Sequence, residues 1–138
     1  MNEHHVTRET RTVEFKEQIS DSFLKSVSAF ANYSGGKIYF GITDDGKTID
    51  IKNPEEYLLT IENKINSTIK PQPNYQLDLT DDNVIILTVK EGLFKPYKYR
   101  GKAFKRADTS TVEVDHLELN RLILGGSGLD YEALPAPV

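Results

Sequence analysis

The segment Glu9–Lys16 contains the residue types that phosphate chemistry uses. Glu14 and Lys16 stand two residues apart in an alternating stretch, so in a strand both side chains project from one face. A carboxylate such as Glu14 or the nearby Glu9 can hold a divalent metal, and an ammonium group can stabilise charge that develops on a phosphate. The same pair is common on any solvated strand face, so the spacing alone leaves both interpretations open.

Asp44 and Asp45 are a second source of carboxylates. They follow an alternating apolar stretch, 38–42, that predicts a strand. If that strand lies beside the first one, Asp44 or Asp45 could approach Glu14 and complete a metal site. The alternative is a plain turn, because Asp-Asp-Gly is a sequence that tight turns favour.

Charge is concentrated in one window, 92–107, which carries +6 and no acidic residue, leaving −10 for the remainder of a chain whose net charge is −4. Cations neutralise phosphates and aromatic rings stack on bases, so this mixture suits a nucleic acid. The alternative is a β-hairpin with solvated cations and inward-packed rings. The residues concerned are Lys95, Lys98, Arg100, Lys102, Lys105 and Arg106, interleaved with Tyr97 and Tyr99 and accompanied by Phe94 and Phe104.

Hydrophobic periodicity predicts the elements that must position these residues. Helices are predicted at 20–33, from an N-cap at Asn53 to 70, and from an N-cap at Asp115 to 124. Strands are predicted at 12–16, 38–42, 48–51, 75–79 and 84–89, with a hairpin around Gly101. Short turns between strands indicate an α+β fold: a mixed, mostly antiparallel sheet with about three helices packed on it.

Length and composition exclude several classes of protein. A chain of 138 residues is one domain, and with no cysteine it has no disulfide and no Cys-ligated zinc. No apolar run approaches the ~20 residues of a membrane span, and the first twelve residues lack the apolar core of a signal peptide. We therefore expect a cytoplasmic protein without membrane contact. Phosphate-loop and dinucleotide fingerprints are also absent from the sequence.

Several short motifs together are more specific than any one of them. In this combination the sequence resembles the Schlafen-type AlbA domain over about residues 9–124. The resemblance implies an α+β fold and a nucleic-acid-binding, most often DNA-binding, module of a transcriptional regulator. The motifs are Glu9-x4-Glu14-Phe15-Lys16, Ser28-Ala-Phe-Ala-Asn32, Gly35-Gly36, Gly41-Ile-Thr-Asp44-Asp-Gly46, Lys95-Pro96-Tyr97 and Gly101-Lys-Ala-Phe-Lys-Arg106.

The resemblance also implies an alternative activity. In animal Schlafens two such lobes form a metal-dependent endoribonuclease that acts on structured RNA. Its acidic triad matches Glu9, Glu14 and Asp44, with Asp45 as a substitute by a one-residue slip, and Lys16 matches its lysine. Mg²⁺ or Mn²⁺ is expected only if the protein is a nuclease, and no zinc is expected, because the animal zinc site needs cysteine. A second alternative is a protein interaction or dimerisation domain.

Domain organisation follows from the same reasoning. We expect a flexible N-terminus at 1–8, the AlbA-like domain at 9–125, and a linker or tail at 126–138 that leads to a further region. In bacterial relatives that region is ATPase-like or a winged helix. Because one lobe forms only half of a groove, the resemblance also implies that a homodimer or a further domain completes it.

Overall fold

The computed structural model describes residues 8–125, which form three helices and two four-stranded sheets. The predicted tail at 126–138 and all but the last residue of the predicted N-terminal segment lie outside these described residues. The α+β prediction is confirmed. The elements are β1 Val13–Lys16, α1 Phe23–Asn32, β2 Gly36–Phe40, α2 Pro54–Thr68, β3 Ile69–Lys70, β4 Tyr75–Leu79, β5 Ile85–Val89, β6 Lys98–Tyr99, β7 Lys102–Ala107, β8 Ser110–Glu113 and α3 His116–Gly125.

The first sheet has the strand order β1-β2-β5-β4. Strand β1 runs parallel to β2, with Glu14 opposite Ile38, and the other two pairings are antiparallel. Strand β5 lies between two neighbours, and its side chains are mostly buried. This position explains why the sequence of β5 is almost continuously apolar.

The second sheet has the order β3-β6-β7-β8 and is antiparallel throughout. The hairpin predicted around Gly101 is confirmed: Arg100 and Gly101 turn the chain between β6 and β7 with φ of 53° and 79°. Strand β8 is not predicted by the sequence, because its four residues are mostly polar and exposed at the edge of the sheet.

Helix α1 packs between the two sheets, and nine of its ten side chains are buried. Three of these are polar, and two of the three, Ser28 and Asn32, bond the backbone of the hairpin. Asn32 accepts the Tyr97 N–H through Oδ1 (2.6 Å) and donates through Nδ2 to the Tyr97 carbonyl (3.0 Å). Ser28 donates to the same carbonyl (2.6 Å) and accepts the Phe104 N–H (3.1 Å). These bonds fix the basic hairpin against α1.

Two local predictions are wrong. The returning strand at 48–51 is reduced to a single bridge between Ile42 and Thr48. Asn53 does precede α2, but its backbone is left-handed (φ 55°) and its side chain makes no capping bond. By contrast, Asp115 caps α3 as predicted, accepting the Glu118 N–H at 2.8 Å. Within the described residues no helix is both long and apolar enough to cross a membrane.

Candidate functional site

Four residues singled out in the sequence, Glu9, Glu14, Lys16 and Asp44, line one cleft of about 460 Å³. They meet because β1 lies parallel to β2, so Glu14 and Lys16 on β1 come close to the loop that follows β2. The opposite wall consists of hydroxyl and lysine side chains from α1 and β8. We call this the acidic cleft, and its remaining lining residues are Phe15, Ser22, Lys25, Ser26, Thr109, Ser110 and Thr111. Asp45 is not among them.

Glu14 is the most enclosed acid of the cleft, with 7% of its surface exposed. Its Oε1 accepts hydrogen bonds from Ser26 Oγ and Arg106 Nη1, both at 2.6 Å. Its Oε2 lies 3.7 Å from Lys16 Nζ and is a buried atom without a hydrogen-bond partner among residues 8–125. Glu14 therefore keeps an unused acceptor although two cations neutralise it.

Arg106 is the principal partner of Glu14. The sequence alone does not reveal this pairing. Its guanidinium also donates to the carbonyls of Thr10 (2.8 Å) and Arg11 (3.0 Å) and lies 5.5 Å from the ring centroid of Phe30. Only 4% of its side chain is exposed. Arg106 is thus turned inward, away from any phosphate at the surface.

The carboxylates of the cleft do not fit a divalent metal as they are arranged. Within residues 8–125 no three His, Asp or Glu side chains form a group that could hold a metal ion. One oxygen of Glu9 accepts the Phe15 N–H at 3.1 Å, and Glu14 is held by Arg106 and Lys16. Positive charge already beside Glu14 opposes a further cation. The metal role of Glu9, Glu14 and Asp44 stays a prediction from the resemblance.

Three of the four rings of the basic window, Tyr97, Tyr99 and Phe104, face inward. Tyr97 and Tyr99 are only 2% and 5% exposed and belong to the main core, as does Phe104. This matches the hairpin alternative, because alternate residues of β6 and β7 point toward α1. Neither tyrosine offers a free face for stacking on a base.

Most cations of the basic window are paired with acids. Lys98 and Arg100 have no acidic partner among the described residues, and the Arg100 guanidinium lies 5.3 Å from the ring centroid of Tyr99. Hydrogen bonds from Lys105 and then Tyr33 hold the pKa of the Glu118 carboxyl below its usual range. The pairs are Lys95–Glu91 (2.5 Å), Lys102–Glu113 (3.9 Å), Lys105–Glu118 (2.7 Å) and Arg106–Glu14 (2.6 Å).

A second depression, which we call the basic groove, adjoins the acidic cleft and measures about 410 Å³. Lys25 and Thr111 line both. The Lys25 ammonium lies 5.9 Å from the ring centroid of Phe104. Sequence reasoning missed Lys25, although an exposed lysine on an otherwise buried helix is a signal that could have found it. The groove is lined by Lys25, Tyr99, Arg100, Lys102, Phe104, Thr111 and Glu113.

Comparison with protein families identifies the class of domain. The family described as "Schlafen, AlbA_2" matches residues 9–115. The chain therefore belongs to the Schlafen AlbA_2 family, as its motifs predict. No curated protein matches it.

One solved structure shows the same fold at low sequence identity. The DIP2311 protein from Corynebacterium diphtheriae is similar with a TM-score of 0.64 and 20% identity, over 87% of this chain. This chain spans only 25% of that protein. The N-terminal domain of a RecG-related protein from Nitrosomonas europaea, described as an ATP-dependent DNA helicase relative, matches at TM-score 0.49 and 20% identity, over 80% of this chain and 88% of that one.

Proposed function

We propose that this domain binds nucleic acid and that the phosphate backbone lies along the basic groove. The observation that carries the proposal is the convergence of Lys25, Arg100 and Lys102 on a groove with a single acid, Glu113. Membership of the Schlafen AlbA_2 family supports a nucleic-acid partner. DNA is the polymer that the resemblance favours.

The chemistry of the groove suits phosphates. Lys25 and Lys102 supply point charges, whereas the Arg100 fork can bind two phosphate oxygens at once. Arg100 projects from a tight left-handed turn, and its guanidinium lies against the Tyr99 ring. The Arg100 side chain is therefore partly ordered in the free protein, which lowers the entropy that it loses on binding.

The test compares two double variants that remove the same charge. Arg100→Ala/Lys102→Ala removes two groove cations, and Lys47→Ala/Lys52→Ala removes two exposed lysines that do not line the groove. Fluorescence anisotropy with a labelled duplex should show at least about tenfold weaker binding for the groove variant only. The plot of log affinity against log salt concentration has a negative slope, and the magnitude of that slope should decrease by about two for that variant. Equal affinities for the two variants would reject the groove.

Finer features of the proposal come from the composition of the sequence and from its family resemblance alone. They are a role in a transcriptional regulator, a cytoplasmic location, a homodimer, and an ATPase-like or winged-helix region that follows the domain. Sedimentation of the purified chain measures its oligomeric state directly. A chain that is monomeric at all concentrations would contradict the proposed homodimer.

A metal-dependent endoribonuclease is the second candidate, because Glu9, Glu14, Lys16 and Asp44 share one cleft, but the carboxylates would have to leave the arrangement described above to hold a metal. Lys16 keeps 23% of its side chain exposed and could contact a phosphate that enters the cleft. Incubation of tRNA with Mn²⁺ and either the native chain or Glu14→Gln tests this activity. Cleavage by the native chain alone supports it, and equal cleavage or none rejects it. If no duplex or single strand binds at low salt, the interaction-domain alternative is favoured.

A further inference from the structure

Phe94 is exceptional among the aromatic residues. Within residues 8–125 it is the one aromatic side chain in the exposed class, with 61% of its surface accessible, and its neighbour Leu93 is 73% exposed. The two residues form the tip of the loop between β5 and β6. We call them the apolar tip.

The loop that carries the apolar tip is held at both sides. The Gly92 N–H donates to the Ala31 carbonyl of α1 at 2.8 Å. The Phe94 N–H donates to the Tyr97 hydroxyl at 3.1 Å, and Lys95 bonds Glu91 across the loop at 2.5 Å. A Cβ at Gly92 would lie 2.1 Å from the Tyr97 hydroxyl, so only glycine fits this path. The side chains of the tip therefore project from a fixed frame, which lowers the cost of ordering them in a complex.

Two unpaired cations lie where β5 ends and β2 begins, next to the start of the loop that carries the tip. Lys37 and Lys90 are exposed, line one shallow surface together with Glu91, and have no acidic partner in the described part of the chain. Lys90 is on the strand end that leads into the loop, and Lys37 is brought near because Gly36 pairs with Val89. An exposed ring on a loop that adjoins unpaired cations is a combination that can bind a base and its neighbouring phosphates.

We propose that the apolar tip stacks on an unpaired base of a single-stranded nucleic acid whose phosphates contact Lys37 and Lys90. This inference rests on the proposed function and narrows its ligand to one with unpaired nucleotides. Both surfaces adjoin α1: Gly92, in the loop that carries the tip, bonds Ala31, and Lys25 of the basic groove lies six residues earlier on the helix, about 9 Å along its axis.

The chain contains no tryptophan, so Phe94→Trp creates a single fluorescent reporter at the tip. Addition of an unlabelled oligothymidylate should quench its emission, because stacking on a base places the indole against a π-face. In anisotropy with the labelled oligothymidylate, Phe94→Trp should keep native affinity and Phe94→Ala should lose about tenfold. The control Leu59→Ala, an equally exposed apolar residue on α2, should change nothing.

The outcomes separate this inference from the proposed function. If duplex binding depends on Arg100 but Phe94→Ala does not change the affinity for single strands, the proposed role of the apolar tip is wrong. The proposed role of the basic groove then remains. The proposed stacking at the apolar tip is also wrong if Phe94→Trp binds the oligonucleotide and its emission is not quenched. A shift of that emission on phosphatidylglycerol vesicles, without quenching by the oligonucleotide, would assign the tip to a lipid surface. Absence of binding to any oligonucleotide rejects both proposals.

Discussion

Two buried polar clusters bond the same helix, α1, and they differ in charge and in completeness. Ser28 and Asn32 are fully buried and neutral, and their bonds go to the backbone of the hairpin. Glu14 and Arg106 are charged, Glu14 lines the acidic cleft, and Glu14 Oε2 has no hydrogen-bond partner among the described residues. The polar groups of the first cluster bond other groups of the protein, whereas in the second cluster the Glu14 Oε2 acceptor has no hydrogen-bond partner among the described residues.

The difference separates architecture from candidate chemistry. A fully bonded neutral cluster specifies how elements pack and offers nothing to a ligand. A buried charged pair is costly to form and is poor evidence for a purely stabilising role. The Glu14–Arg106 cluster, which adjoins a cleft with Lys16 and several hydroxyl groups, is therefore where a ligand can act on the protein.

Arg106→Met should have the largest effect on stability. It leaves the Glu14 carboxylate buried without its main cation, and breaking such a pair costs about 3–5 kcal/mol of unfolding free energy. Urea denaturation measures the loss. Lys102→Met on the same strand, which is exposed, should cost less than about 0.5 kcal/mol. The double variant Glu14→Gln/Arg106→Met should recover much of the loss, and failure to recover it would contradict the buried-charge explanation.

Asn32→Ala should have the next largest effect, about 2–3 kcal/mol. The Tyr97 N–H loses its acceptor in the interior, and an unsatisfied buried group costs about 1–3 kcal/mol in addition to the lost packing. The exposed residue Asn120 provides the control, and Asn120→Ala should lie within about 0.5 kcal/mol of the native chain. If folded Asn32→Ala also loses duplex affinity, the Ser28–Asn32 cluster is not purely architectural.

The elements of this fold could be predicted from local sequence, because their signals are local. Alternation marks β1 and β4, and the Gly101 hairpin and the Asp115 cap depend on neighbours within a few residues. Strand β8 escapes prediction because an exposed edge strand needs no apolar pattern. The motif residues Ser28 and Asn32 could be recognised as part of a family, but their role depends on contacts with a hairpin 65 or more residues away.

The candidate site could be predicted less well, because charge in a window does not reveal which acid folds against it. Arg106 meets Glu14 across 92 residues, and Lys105 meets Glu118 from another element. Tyr97 and Tyr99 alternate with cations, and only the packing of α1 decides that the rings face inward. The candidate phosphate contacts therefore shift to Arg100 and Lys102, with the addition of Lys25.

The Lys105–Glu118 pair offers the smallest and most pH-dependent test, because it is a partly exposed counterpart of Glu14–Arg106. Hydrogen bonds from Lys105 (2.7 Å) and Tyr33 (2.5 Å) lower the pKa of Glu118 below its ordinary value of 4.5. Its stabilisation is therefore fully present above about pH 4.5 and is lost as the pH falls through the folded-state pKa. Glu118→Gln should cost at most about 1 kcal/mol near neutrality, since solvent screens the pair, and the difference from the native chain should shrink in acid. Urea denaturation near neutral pH and in acid measures this difference in unfolding free energy. Lys105→Met should weaken the same pH dependence. A difference that stays constant with pH would assign the effect of Glu118→Gln to packing rather than to charge.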